Sequence, residues 1–197
     1  MRYLAAVVLA MLFAGAASSQ GRFGIKAGPV LNYIKTKGDN GGSFPDVKTG
    51  FTFGASYSLP ASARFSIQPE FNYIMLYSDE ALTSSKFHLD YYQIPVLLKG
   101  TSAKGDFSFY AGPQLSVLAH ATRKSGSTKT DATPLVTETD FSALAGIEYL
   151  FPVNVTLNAR FTQGFSNVLK TEFDTFKSRH QYITVTLGYL FGKKKTS

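Results

Sequence analysis

Residues Gln181–Phe191 alternate with period two: Ile183, Val185, Leu187, Tyr189 and Phe191 on one side, Tyr182, Thr184, Thr186 and Gly188 on the other. This pattern makes a strand with one apolar face. A soluble sandwich turns such a face inward. A membrane barrel turns it outward to lipid and points small or polar residues into the lumen. Seven earlier stretches read the same way: Arg22–Ile34, Thr49–Leu59, Arg64–Tyr77, Lys86–Lys99, Phe107–Ala121, Glu138–Leu150 and Val155–Phe165. The cleanest is Thr49–Leu59, where Phe51, Phe53, Ala55, Tyr57 and Leu59 oppose Gly50, Thr52, Gly54, Ser56 and Ser58. In Lys86–Lys99 both faces are partly apolar, and Tyr92, Ile94, Val96 and Leu98 make the better lipid face. Pro29 lacks a ladder donor and predicts a bulge or bend in the first strand.

The connections alternate long and short. Polar stretches at Lys35–Lys48, Ser78–Ser85, Thr122–Thr137 and Ser166–Lys177 separate the compact turns Pro60–Ala63, Gly100–Asp106 and Phe151–Asn154. Outer-membrane barrels have short periplasmic turns and longer external loops. The expected fold is therefore all-β, an eight-stranded antiparallel up-and-down transmembrane β-barrel. Strands of this length suit a tilted bilayer crossing, and both termini fall on the periplasmic side.

Composition supports this reading. Seventeen Phe and eleven Tyr accompany only 17% charged residues, which favours strands and interfacial aromatic girdles. Met1–Phe13 places one positive charge before a short apolar run, and small residues follow to Ser19. That layout predicts a cleaved signal peptide at 1–19, since the run is shorter than the roughly 20 residues of a spanning helix. The barrel would occupy 20–192 and a basic periplasmic tail 193–197. No Cys occurs, so neither a lipid-anchoring cysteine nor a disulfide stabilises the exported chain. The formal charge of +7 becomes +6 without Arg2. Export argues against nucleic acid as the partner of that charge, and a solvated rim of mixed sign accounts for it. The expected location is the outer membrane of a Gram-negative bacterium.

Several segments in order resemble the PorT-like outer-membrane β-barrel family, related in shape to the small OmpA and OmpX barrels. They are Phe23-Gly-Ile-Lys-Ala-Gly28, Tyr91-Tyr-Gln-Ile-Pro-Val-Leu-Leu-Lys99, Tyr110-Ala-Gly-Pro113, Ala145-Gly-Ile-Glu-Tyr149, Ala159-Arg-Phe161 and Leu187-Gly-Tyr-Leu-Phe191. The resemblance implies an eight-stranded barrel and, for most members, no defined activity. One departure is that the chain runs past Phe191 as Gly192-Lys-Lys-Lys-Thr-Ser197.

Charged and amide residues on the inward faces are the main candidates for chemistry: Lys26, Glu70, Gln93, Lys99, Glu148 and Arg160, with Gln68 and Gln114 beside them. The lumen of eight strands is just wide enough for side chains, so these charges must pair. A lumen charge network, with Glu148 paired to Arg160 across neighbouring strands, is preferred over an ion path. A glycosidase-type carboxylate pair, Glu70 with Glu148, fits poorly in a packed lumen among basic partners. His88, His120 and His180 fall at the external strand ends. With Asp90 or Ser116 they admit a lipid-modifying hydrolase, or a shared metal site, but no oxyanion or nucleophile motif accompanies them. Lys193–Lys195 reads as a solvated tail.

The functional expectation is a non-enzymatic integral outer-membrane protein with a plugged polar lumen, in a structural or loop-mediated role in the envelope. The competitors are the hydrolase and a secretion-apparatus component. No cofactor, catalytic residue or metal ligand is expected. Expected partners are outer-membrane lipids and lipopolysaccharide, the barrel-assembly machinery, and an extracellular or envelope protein met through the loops, with the chain itself a monomer.

Overall fold

The computed structural model describes residues 21–36, 48–79, 86–125, 128–131, 139–165 and 178–192. Residues 1–19, expected from sequence to be a signal peptide, residues 193–197, expected to be a basic tail, and much of the four long connections lie outside the described residues.

Among the described residues nine strands run antiparallel: β1 (Arg22–Thr36), β2 (Lys48–Pro60), β3 (Phe65–Asp79), β4 (Lys86–Thr101), β5 (Phe107–Ser125), β6 (Thr128–Asp131), β7 (Thr139–Leu150), β8 (Val155–Gly164) and β9 (Ser178–Leu190). Each pairs with its chain neighbour except where β6 intervenes, and β1 pairs with β9. Eight strands thus close into a barrel with no free edge. The ninth, β6, folds back on the end of β5 beyond the ring. It falls inside the stretch read from sequence as one long loop, because Thr128-Lys-Thr-Asp131 carries no apolar alternation to mark it.

The seam between first and last strands is well tied. Phe191 N donates to Phe23 O at 2.7 Å, and the two rings lie 5.7 Å apart. Arg22 Nη2 donates to Asn154 Oδ1 at 2.9 Å, joining β1 to the β7–β8 turn. Asn154 itself takes the left-handed conformation (φ 64°), which asparagine tolerates in tight turns.

Pro29 makes a gap in the ladder where a bulge or bend was expected. The register to β9 is the same on either side, Ala27↔Leu187 and Val30↔Thr184. Pro113 interrupts β4–β5 in the same manner, with Pro95↔Gln114 and Leu98↔Ala111 in one register. A glycine precedes each proline. A Cβ on Gly28 would meet Val185 O at 2.0 Å, and one on Gly112 would meet Val96 O at 2.0 Å. Close backbone approach therefore requires glycine at both positions. A true bulge occurs elsewhere: Asp90 pairs with His120 but Tyr91 with Leu118, leaving Ala119 extra.

Exposure settles which way the faces point. Leu98, Phe109, Phe141 and Leu187 are about 60% exposed, whereas Glu70, Lys99, Glu148 and Arg160 are at most 6% exposed. This polarity is the reverse of a water-soluble barrel and is that of a membrane barrel. Aromatic clusters girdle the outer surface. Phe107–Phe109, Tyr149–Phe151 and Tyr189–Phe191 lie toward the short turns, and Phe53, Phe71, Tyr73 and Tyr92 farther along the strands.

Candidate functional site

Narrow bore and long polar side chains make the lumen the place where chemistry concentrates. Glu70, on β3, is its electrostatic centre. Its carboxylate receives Lys26 Nζ at 2.6 Å, Arg160 Nη1 at 3.0 Å and Arg160 Nη2 at 3.1 Å. Gln68 Nε2 (2.9 Å) and Asn72 Nδ2 (3.2 Å) donate to it as well. A fork of two guanidinium nitrogens on one carboxylate is the strongest form of ion pair available to a side chain.

Glu148 belongs to a second pair. Lys99 Nζ bonds Glu148 Oε1 and also donates to Gln68 Oε1 at 3.3 Å. Asn158 Nδ2 donates to Glu148 Oε2 at 3.5 Å, and Tyr110 OH donates to Asn158 Oδ1 at 2.7 Å. Arg160 Nε reaches Tyr110 OH at 3.4 Å, with its guanidinium carbon 5.1 Å from the centre of that ring. The contacts close a circuit: Glu70, Gln68, Lys99, Glu148, Asn158, Tyr110, Arg160 and back to Glu70. Five strands contribute to it.

This arrangement corrects the pairing of Glu148 with Arg160. In the register found, Arg160 lies opposite Gly146, and Glu148 opposite Asn158. The arginine crosses the lumen to β3 instead of meeting its strand neighbour. Gln93 lies outside the circuit. It donates to Tyr182 OH at 2.8 Å, as does Gln114 at 2.8 Å. A small polar cavity, on the scale of a single water molecule, lies between the Tyr182 layer and the charges. Asn72 and Thr186 border it, and their side-chain oxygens find no protein partner.

Toward the long connections the lumen turns apolar. Val30, Ile74, Leu76, Leu89, Tyr91 and Leu118 pack together there with Ala121 and Tyr182. Sequence reading left Ile74, Leu76 and Leu89 without a face. Strict alternation continued from Asn72 and Tyr91 would have placed all three inside. Tyr110, Asn158 and Tyr182 were missed as network members. Their signal was present: a long polar-tipped residue in a narrow bore has to find a partner.

The remaining candidates separate. The Glu70 and Glu148 carboxylates are each saturated by their own cations and amides, which leaves neither free to act on a substrate. His88 Nε2 lies 3.0 Å from Asp90 Oδ1, and its ring stacks on Tyr77 at 4.6 Å, on the outer surface. His120 Nε2 meets Thr122 Oγ1 at 2.8 Å. Ser116 does not join it, being buried in the lumen beside Gln114 Nε2 at 3.3 Å. His180 pairs with Ile34 in the β1–β9 ladder, and its side chain lies outside the described residues. Among the described residues no group of three His, Asp or Glu is placed to hold a metal ion.

Solved structures share this architecture. Ail, the attachment invasion locus protein of Yersinia pestis, is 16% identical over 87% of this chain and 99% of its own, with a TM-score of 0.56. Neisserial surface protein A is 15% identical over 86% and 97%, with a TM-score of 0.58. Ail has also been solved in complex with the heparin analogue sucrose octasulfate (15% identity over 87% and 99%, TM-score 0.53). At these identities the likeness is one of fold. A search of curated proteins finds no match. The model of the outer membrane protein beta-barrel domain matches residues 15–170, well over half of the 197-residue chain. This chain therefore belongs to the outer membrane protein beta-barrel domain family.

Proposed function

We propose that this protein is a non-enzymatic, monomeric outer-membrane barrel with a sealed lumen, acting through its outer surface and its long connections. The observation that carries this reading is the closed circuit from Glu70 through Arg160, topped by the apolar layer at Ile74 and Leu89. A bore occupied across its section offers neither a steady ion path nor a substrate cleft. What remains is envelope integrity and presentation of the long connections to an envelope or extracellular partner. The polyanion complex of Ail makes ligand capture by such a surface reasonable. The chain is inserted by the barrel-assembly machinery with both termini periplasmic.

Orientation is testable because the chain has no native cysteine. Ser43→Cys, in a long connection, should react with a membrane-impermeant maleimide in intact cells. Ala103→Cys, exposed in the β4–β5 turn, should react only after permeabilisation. The opposite pattern would reverse the topology. Shortening residues 37–47 and 166–177 to tight turns should leave the barrel folded but abolish rescue of a deletion strain's envelope defect. Full rescue by the shortened chain would overturn the loop-mediated role.

A second reading, an outer-membrane lipid hydrolase, is favoured by the His120–Thr122 hydrogen bond. Acyl release from outer-membrane lipid by purified protein, lost in His120→Asn, would establish it over the first. Kinship with PorT, and with it a place in a secretion apparatus, rests on the order of the short segments noted above. Adjacent secretion genes would support it.

A further inference from the structure

The buried charges of the lumen do not cancel. Lys26, Lys99 and Arg160 face Glu70 and Glu148, a sum of 3 − 2 = +1, with side chains at most 12% exposed. Lys99 and Glu148 neutralise one another. The surplus sits at Glu70, whose single carboxylate serves both Lys26 and Arg160. Arg22 and Asp140 also alternate onto the inward face, but at opposite ends of the barrel, where both are partly exposed and water screens them. An uncompensated charge in a low-dielectric interior is costly.

The small cavity beside these charges is the place where that cost can be relieved. Lys26, Arg160 and Thr186 border it, with Gln93 and Tyr182 on the far side. Its wall is rich in donors. The Lys26 ammonium has three N–H groups, of which Glu70 takes one. The Arg160 guanidinium has five, of which Glu70 and Tyr110 take three. Thr186 Oγ1 is buried without a protein partner, and Gln93 Nε2 gives one of its two N–H groups to Tyr182. Asn72 Oδ1 is the exception, an acceptor without a partner. It lies against the β2 backbone, where a Cβ on Gly54 would come within 2.2 Å of it, and so keeps to the wall.

We propose that this cavity holds one monatomic, monovalent anion, chloride in ordinary saline, between Lys26, Arg160 and Thr186. One negative charge brings the buried sum to zero. A divalent anion would overshoot it, and a polyatomic one would not fit a space on the scale of a water molecule. Chloride is slightly larger than water and needs only a small movement of the flexible Lys26 end. A water molecule fits and satisfies Thr186 but leaves the charge uncompensated. The inference rests on the sealed lumen proposed above, since a water-filled bore would screen the surplus. The anion is enclosed as the barrel closes.

The test compares urea midpoints of protein refolded in neutral detergent, in chloride and in gluconate at equal ionic strength, so that general screening is constant. Gluconate is too large for the cavity. With chloride at about ten times its dissociation constant, the folding equilibrium should shift about tenfold toward the native state. Lys26→Met should lose this response. In gluconate it should unfold no earlier than the unsubstituted protein, because the surplus is gone and Glu70 keeps its Arg160 fork. Thr186→Val should reduce the response to about threefold, and Lys104→Gln, in the exposed β4–β5 turn, should leave it unchanged. Crystals of protein refolded in bromide should show an anomalous peak bordered by Lys26, Arg160 and Thr186. Equal midpoints in the two salts, or a chloride response that survives Lys26→Met, would overturn the site. A bromide peak without a stability response would mean an adventitious ion only, and a cavity without a peak would mean a water molecule only; either overturns the proposal. Steady conductance in planar bilayers would remove the seal, whereas failure of the halide results in a non-conducting protein would overturn this inference alone.

Discussion

Glu70→Gln should destabilise the barrel by about 3–5 kcal/mol, the usual consequence of leaving charged partners buried and unpaired. The substitution preserves size and an acceptor oxygen, but strands both Lys26 and Arg160, each of which, among the described residues, has Glu70 as its ion-pair partner. Arg160→Met should also be costly, since Glu70 would lose its bidentate partner. The double variant Glu70→Gln/Arg160→Met should lose clearly less than the sum of the two. A urea series in detergent micelles on the singles and the double measures this coupling. The same cycle on Glu148 and Arg160 should give a much smaller coupling, because those residues communicate indirectly, through Asn158 and Tyr110 on one side and through Lys99, Gln68 and Glu70 on the other. A larger coupling for Glu148 with Arg160 than for Glu70 with Arg160 would contradict the circuit.

Phe53→Arg should cost about 2–4 kcal/mol in a bilayer, the range for an arginine on the lipid face near the midplane. Phe53 is half exposed near the middle of β2, flanked across strands by Ala27 and Tyr73, with its ring 5.4 Å from that of Tyr73. In water such exposure would make the change nearly neutral. In hydrocarbon the guanidinium loses its hydration, and so the penalty reports the solvent as much as the protein. Leu157→Arg and Val185→Arg should behave alike, both being outward. Thr52→Ser is the control on the other face: Thr52 faces inward and donates to Tyr73 O at 3.0 Å, a bond that serine retains. It should cost below about 1 kcal/mol. If Phe53→Arg unfolded at the same urea concentration as Thr52→Ser in lipid vesicles, the lipid-facing surface would be misassigned.

The extent to which the sequence disclosed this molecule follows from what each feature depends on. Strand faces were legible because side-chain period two depends on the chain alone. Phe23, Ile25 and Pro29 point out and Lys26, Val30 and Asn32 in, as alternation requires. Eightfold closure was legible from the count of strands and the long–short rhythm of connections. Partner choice inside the lumen was not. Register on neighbouring strands predicts contacts between short side chains, but Arg160 is long enough to cross the bore, and Glu70 on a distant strand meets its two guanidinium nitrogens with both carboxylate oxygens. The bulge at Ala119 left no trace either, since alanine neither favours nor forbids it. That bulge shifts the β4–β5 register and so sets His120 opposite Asp90, away from the lumen-facing Ser116. It also brings Lys86 opposite Lys124, a juxtaposition that no reading of β5 in isolation could show.

The sealed lumen is tested most directly by planar-bilayer recording of the purified, refolded wild-type protein. The circuit through Glu70, Glu148 and Arg160, with the apolar layer above it, predicts no steady conductance and at most rare small openings. Large, long-lived conductance steps from the wild-type chain would contradict it, and would make the inward charges a selectivity device in place of a plug.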